Sequence, residues 1–522
     1  MSVAVESQIF ESFRGIREHN GINAGGQISA LICDNVELVQ SEIGSATGIR
    51  SMSGNTVLYS LPEGYKVIEL FETVQDGFSY RIIYGEKNTK GTLFYIGIDG
   101  TLKTLLDNLT ATGSCNGLTM SDSAFDVFVF TNGEEVKTIC FSMDSAYADI
   151  VRDHNPIRIA DGGYIATITP TDYLGRSLKF LSLTDWNGFL VVASQYGVHS
   201  SHQNDIYTWN DDPQDIADSW YIDFSKKITA VCAFTGGLYI FAQDECSLLT
   251  TTPNDTTNSV LKTSAGVGCF SYDSLVKHDV YLFFYDNRQK NIYYLNATDT
   301  TGQTRPAGPV AKEIQSYFAD IKRFKMYSCI YNTRNEIWCI INDNILIYDY
   351  AQQEWVTRQE QKLNTIALVN NTVYSGDDFG NVRHEGINND FSGSYYASNY
   401  KTSFINIGSN TNMKKQKTPL LLTLNTEHTN DFYVQLICNG KEKNPKHIQV
   451  KNANASKYGE SKYGVAIYTP RGQYNKVVVE VSTPQTWYTM GVRIFTEKLG
   501  QGFHITSMEL KNIKAKTKTR GR

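Results

Sequence analysis

The residues with the most chemical potential are scattered. His199 and His202 stand three apart, a spacing open to a metal pair. On a strand, however, residues three apart face opposite sides, so shared ligation needs a special loop, and ordinary surface histidines are the preferred reading. Asp211, Asp212, Asp215 and Asp218 form an acidic run that could hold calcium. It lacks the alternating oxygen ligands and turn glycine of a dedicated loop, so a solvated loop is expected. Trp186, Trp209, Trp220, Trp338 and Trp355 could stack on sugars, but within strand meanders they read as core between sheets. Gly15, Gly21, Gly25 and Gly26 have neither the spacing nor the preceding strand of a phosphate loop. No GxSxG elbow, Walker loop, HExxH or Ser-x-Asp-x-Gly-x-x-Trp box occurs. The expectation is no catalytic, cofactor-binding or metal residue and no enzyme activity.

The elements that would position these residues are strands. Aromatics make up 12% of the 522 residues, with 32 Tyr and 25 Phe punctuated by 40 Gly. Aromatic residues suit pleated, half-buried surfaces, so the chain reads as all-β. Within Leu183–Leu249, four apolar runs (Gly188–Ser194, His199–Ser201, Ile228–Phe234 and Leu238–Gln243) predict one meander of about four strands. Asn187-Gly188 is a hairpin signal, and Thr235-Gly236-Gly237 supplies a second turn.

Further meanders are expected over Val67–Leu106 and Leu118–Phe141, with turns at Asp76-Gly77, Asp99-Gly100 and Asn132-Gly133. Another covers Cys269–Ala297. Tyr327–Arg358 reads as a single blade ending in Glu354-Trp355, with Trp355 between blades, and Thr365–His384 supplies the last unit. Repeats of roughly 40–50 residues match a β-propeller of about six blades. Short helical stretches are expected near Ser29–Leu31 and over Lys312–Ile321, where Ile314, Phe318 and Ile321 share a face. Residues 142–182 and 251–268 read as irregular or loop-like.

The texture changes at Asn388. Strands over Thr418–Thr423, Phe432–Cys438, Val465–Tyr468, Lys476–Ser482, Tyr488–Thr496 and His504–Leu510 predict a β-sandwich-like region. The expected organisation is an entry segment over 1–60, a propeller over 61–387, the sandwich-like region over 388–510 and a basic tail over 511–522.

Net charge is −6. The last twelve residues hold six Lys or Arg, leaving the rest near −12. That balance disfavours a dedicated nucleic-acid grip. The terminal run KNIKAKTKTRGR reads as a solvated tail that could meet a phosphate backbone or an acidic partner. The nine Cys (33, 115, 140, 232, 246, 269, 329, 339 and 438) stand singly and are expected as buried thiols of a reducing compartment. The opening MSVAVESQIFESF predicts no signal peptide, and no stretch reaches the length of a membrane span.

One family pattern fits this order of elements. Trp186-x-Gly188-Phe189-Leu190-Val191-Val192-Ala193 is followed by Ser200/Ser201, Asp205–Trp209 and an acidic loop, then by Lys227–Phe241. This order resembles the central blades of the tail nozzle proteins of short-tailed bacteriophages, also called tail tubular protein B or packaged-DNA stabilisation proteins. Gly21-Ile22-Asn23-Ala24, Cys33-Asp34-Asn35-Val36 and Gly44 to Gly54 around Arg50 resemble the same family's entry segment, with Ile22 in place of Leu and Cys33 in place of Ala. Gly308, Val310 and Ile314 match the line that precedes its inter-blade helix. The resemblance implies a structural virion protein, assembled in the host cytoplasm into a homo-oligomeric ring, a hexamer in that family. Such a ring lies beneath a portal-adaptor ring, docks tail fibres or spikes, and contacts genomic double-stranded DNA in its lumen. The alternatives are a propeller-based glycan-binding or receptor-binding tail component, or a cellular propeller interaction module. A glycan-cleaving version would need paired carboxylates facing the propeller channel.

Overall fold

The computed structural model describes all residues except 1–4, 18–26, 41–46, 123, 173, 210–218, 254–259, 297–305, 332–333, 360–361, 388–389, 406–412, 417, 426–429, 451–475 and 517–522. The chain is nearly all-β and divides into two units. One comprises Val57–Asp343 and Lys362–His384. The other comprises Met1–Thr56, Asn344–Gln361 and Glu385–Arg522.

The first unit is a six-bladed β-propeller. Blade one is Lys66–Gln75, Phe78–Lys87, Lys90–Ile96 and Leu102–Thr110. Blade two contains Asn116–Asp122, Phe125–Thr131, Val136–Cys140 and Tyr164–Ile168, with the short Ile157–Arg158 at its edge. Blade three is Ser182–Trp186, Phe189–Ala193, Gly197–Ser200 and Tyr221–Asp223. Blade four is Ile228–Phe234, Gly237–Ala242, Glu245–Leu249 and Val260–Ala265. Blade five is Leu275–His278, Tyr281–Asp286 and Asn291–Asn296. The hairpin Phe324–Tyr331/Arg334–Ile341 follows, its first strand lying between the inner strands of blades five and six. Blade six is Leu363–Val369, Thr372–Asp377 and Asn381–Glu385, and Asn55–Ser60 joins it as a fourth strand. A strand preceding blade one thus completes the last sheet and closes the ring.

Local chemistry explains the hairpins. The turn from first to second strand takes two residues with positive φ at Asp76-Gly77 and again at Asn187-Gly188. That is the twist-matched hairpin turn, which Asn or Asp followed by Gly adopts at least cost. Apolar side chains fill the spaces between blades. Trp186, Val191, Trp220, Val231 and Ile240 share one buried cluster, with the two indoles edge to face at 5.7 Å. Each such side chain contributes roughly 1.5–3 kcal/mol by leaving water.

Several expectations need correction. Leu183–Leu249 does not form one meander but spans blades three and four, because Tyr221–Asp223 pairs with Gly197–His199 and completes blade three before Ile228 opens the next. Part of the stretch expected as loop, Val260–Ala265, is the fourth strand of blade four. Lys312–Phe318 is 3-10 rather than α, broken by non-helical backbone at Ile314. Its anchors Ile314 and Phe318 are nonetheless buried. The region 142–182 contains a short α-helix, Ser145–Ile150, capped by the Asp144 side chain on the Ala146 N–H. Ser29–Leu31 is strand, inside Gln27–Asp34, which pairs with Ser12–Ile16 and Asn399–Thr402. Asn344–Asp349 and Glu354–Arg358 form the expected hairpin but belong to the second unit. There Trp355 packs on Tyr348 at 4.8 Å, and its backbone approaches Gly15 so closely that a Cβ at Gly15 would lie 2.2 Å from the Trp355 carbonyl oxygen.

The second unit carries the sandwich-like architecture. Met490–Phe495 pairs with Asn399–Thr402 on one side and Asn430–Cys438 on the other. Leu420–Asn425 pairs with both Lys476–Val481 and His504–Lys516. The N-terminal strand Val5–Phe10 pairs with this last strand. Leu420, Leu422, Leu424, Val492 and Ile494 are fully buried between these strands. The last strand runs on to Lys516, so half of the stretch expected as a solvated tail is paired β-structure, and Ile513 is buried. Residues 517–522 and Val465–Tyr468 lie outside the described residues.

One ion pair anchors the second unit where the chain enters and leaves it. Arg358 Nη2 meets Glu385 Oε2 at 2.5 Å, both side chains 1% exposed. Asn55 Nδ2 donates to both Glu385 oxygens at 3.2 Å, and the guanidinium lies 4.6 Å from the Phe391 ring centre. Asn55, Arg358 and Glu385 each lie within three residues of a point where the chain passes from one unit to the other. A buried pair contributes little net energy against its desolvation, but removing one partner strands the other. Arg358→Met should therefore cost about 3–5 kcal/mol, and adding Glu385→Gln should recover part of it. Urea unfolding followed by tryptophan fluorescence reads the effect, and an unchanged midpoint for Arg358→Met would contradict it.

Candidate functional site: the propeller channel

The inner strands of the propeller surround a cavity of about 520 Å³. Its wall takes residues from every blade and from the intervening hairpin, among them Glu69, Asn116, Asp185, Asp273, Lys277 and Tyr327. Such central openings, where many elements converge, are the default places for function in this architecture.

Four polar side chains form a knot in the wall. Lys325 Nζ donates to Glu69 Oε2 at 2.5 Å and lies 3.3 Å from the Ile68 carbonyl oxygen. The Tyr327 hydroxyl donates to Glu69 Oε1 at 3.1 Å, and the Thr365 hydroxyl donates to the same oxygen. Glu69 and Lys325 side chains are 7% and 5% exposed. Burial alone would depress the Lys325 ammonium; the Glu69 carboxylate, with Tyr327 and Asp273, outweighs it and holds the group charged. Burial and the Glu69 carboxylate push the Tyr327 phenol well up, so it is a donor here, not a nucleophile. With both oxygens of Glu69 engaged, the knot fastens blade one to the hairpin and to blade six.

Asp273 differs. Burial, helped by Glu69 and opposed by Lys325 and Arg323, raises its carboxyl to about 6. Asp185 is also raised by burial, against the Gly188 N–H and Lys277. Glu69, Asp185 and Asp273 are therefore carboxylates on one channel wall, the last half-protonated near pH 6. Glu69 is tied up by three donors, which removes it as a base or nucleophile.

The residues singled out in the sequence lie elsewhere. His199 is buried on blade three, its Nε2 3.3 Å from Ser194 Oγ and its ring stacked on Tyr221. His202 follows that strand, and its N–H donates to the Thr208 carbonyl. Among the described residues no group of three His, Cys, Asp or Glu is arranged to hold a metal ion. The acidic run from Asp211 to Asp218 and Gly21–Ala24 lie outside the described residues, as does Gly44. Trp186, Trp220 and Trp338 are core, and Trp209 packs partly buried on blade two, its Nε1 donating to the Ile206 carbonyl. All nine cysteines are buried and none is in a disulfide; burial lifts the Cys232 thiol to about 11, far from a reactive thiolate. The Glu69–Lys325 knot went unread in the sequence. The available signal was a charge inside each of two apolar runs, Val67-Ile68-Glu69-Leu70-Phe71 and Phe324-Lys325-Met326.

No family model and no curated protein matches the chain. In backbone it is similar to the computationally designed Ika8 protein, at 12% identity over 64% of this chain and 100% of that one, with a TM-score of 0.39. It is similar also to BamB from Moraxella catarrhalis, at 11% identity over 74% of this chain and 99% of that one, with a TM-score of 0.36. No helix among the described residues is long and apolar enough to cross a membrane.

Two outcomes follow for the channel. Lys325→Met leaves Glu69 buried without its cation and should cost about 3–5 kcal/mol; combining it with Glu69→Leu should restore most of that, and thermal unfolding of the single and double variants tests the coupling. The second concerns pH. A carboxyl raised from 3.8 to about 6 on folding binds more protons in the native state between those values, so stability falls as pH rises through that window and levels off above it. Asp122, also raised to about 6 by burial, acts in the same direction. Asp273→Asn should remove roughly 2–3 kcal/mol of this fall, so denaturation midpoints at pH 4.5 and 7 should draw together in the variant.

Proposed function

We propose that this chain is a wall subunit of the tail nozzle of a short-tailed bacteriophage, a structural virion protein without bond-breaking chemistry. About six copies form a closed ring below the adaptor ring on the portal. The ring retains the packaged genome, passes it during ejection and docks fibres or spikes.

The observation that carries this reading is where the resembling residues fall. Trp186–Ala193 and Lys227–Phe241 fall on the first two strands of blades three and four, and Ser200–Trp209 falls between them in the chain, on the connection from the third to the fourth strand of blade three. Physical properties of the propeller suit the role. Ring closure by Asn55–Ser60 leaves the first and last blades without a loose junction, which favours stiffness. The propeller unit holds 36 Asp and Glu against 24 Lys and Arg, a net of −12, and an acidic wall does not hold a passing polyanion. A ring of identical subunits needs one repeated heterologous interface.

Electron microscopy of the purified full chain tests the assembly. The expected images are rings of about six copies with an axial channel, as the resemblance implies. Single propellers at every concentration up to the micromolar range, and absence of the chain from virions, would overturn the reading.

A further inference from the structure

The channel cavity is not isolated. It shares Ser182 and Tyr272 with a second cavity of about 600 Å³. That one shares Lys227, Gln243 and Phe270 with a third of about 500 Å³. The channel cavity adjoins the second across these shared residues, and the outer two form a groove across blades two to five. Strand direction explains why the outer part is continuous. Its walls come from connections that enter an inner strand, as at Lys227 and Phe270, and from turns joining second to third strands, as at Gln195 and Gln243. In a meander these two kinds of connection fall on the same face. The tight Asn187-Gly188 and Thr235-Gly236 turns, joining first to second strands, fall on the other.

The groove has a defined chemistry. The Gln195 and Gln243 side chains are exposed and make no hydrogen bond to the described residues, so two carboxamides, each donor and acceptor, stand open. Phe270 is half-buried, its ring edge to face with Tyr285. Lys226 is bonded to Asp244 and Glu245, and Lys179 to Glu134. Arg288 donates to the Gly266 carbonyl oxygen. Lys227 alone among the cations of the outer groove has no bonded partner among the described residues.

We propose that this groove binds an extended oligosaccharide that carries a single carboxylate. Its hydroxyls pair with the carboxamides of Gln195 and Gln243, a carboxylate meets Lys227, and an apolar sugar face lies on Phe270. A nucleic-acid strand is a poorer match, since it brings a negative charge at every nucleotide to a groove with one unpartnered cation on a unit of net −12. The site does not depend on ring assembly.

The test is titration calorimetry of the full chain with aldotetraouronic acid, a tetrasaccharide that carries one carboxylate, with maltotetraose and a tetraglutamate peptide as the other arms. Saturable binding of aldotetraouronic acid is expected. Lys227→Ala should weaken it about tenfold, the loss of one charge-assisted hydrogen bond, and leave maltotetraose unchanged. Gln195→Ala/Gln243→Ala should weaken both sugars. These side chains are exposed, so an unchanged melting curve certifies folding. No saturable sugar binding, or tetraglutamate binding as tightly as the sugar acid, overturns the proposal. A ring that binds no sugar overturns the groove alone, and sugar binding by single propellers overturns the ring alone.

Discussion

The propeller depends on closure of its ring. A meander of blades arranged side by side leaves the first and last sheets as loose ends, with unpaired backbone groups on offer. Here the chain supplies Asn55–Ser60 before blade one and later adds Asn381–Glu385 beside it. The last sheet is therefore built from two ends of the propeller chain. Hydrogen bonds at this junction tie residues more than three hundred positions apart, such as Ser60 Oγ to Asn381 Oδ1 at 3.0 Å and the Leu61 N–H to the Gly380 carbonyl. The seam has a high entropic cost of closure, which the continuous apolar packing between blades must offset.

Buried charge reinforces the same problem. Glu69 on blade one meets Lys325 on the hairpin and Thr365 on blade six, so the knot crosses the seam that closes the ring. In the other unit, Arg358 and Glu385 meet with Asn55 where three passages of the chain converge. Neither pair adds much energy beyond what apolar residues would supply. Each instead penalises alternatives: a blade shifted by one register position would leave an unpaired ion in a dry site. The wall and the sandwich-like unit thus each hold a charged lock at a point where distant chain segments must be brought into register.

Local rules made most of the blades readable. Asp76-Gly77, Asn132-Gly133 and Asn187-Gly188 announce their turns, and period-two apolar runs announce the strands between them. What escaped was set by distance along the chain. The sequence of Val260–Ala265 looks like loop until Glu245–Leu249 offers a partner edge. Ser29–Leu31 carries helix-compatible residues, yet pairing with two strands makes it β. Glu354-Trp355 reads as the end of a propeller blade because its local pattern is the same in any antiparallel hairpin; only contacts such as Gly15 with Trp355 assign it to the other unit. The channel knot has the same character, since Glu69 and Lys325 gain meaning only together.

The two faces of the propeller differ because of what each connection must do. A first-to-second turn only reverses the chain within a sheet, and two residues with positive φ suffice, as at Asp76-Gly77. A connection into an inner strand must travel from the rim of one blade to the centre of the next. It is longer and polar, and it spreads over the surface it crosses. Open side chains such as Gln195, Gln243 and Lys227 collect on that face, where the backbone does not dictate residue type. Substitution there leaves blade packing intact, so that face is free to vary its chemistry while the opposite face is held to turn geometry. Any ligand or partner of the propeller that is selected by side-chain chemistry belongs on the face of the long connections.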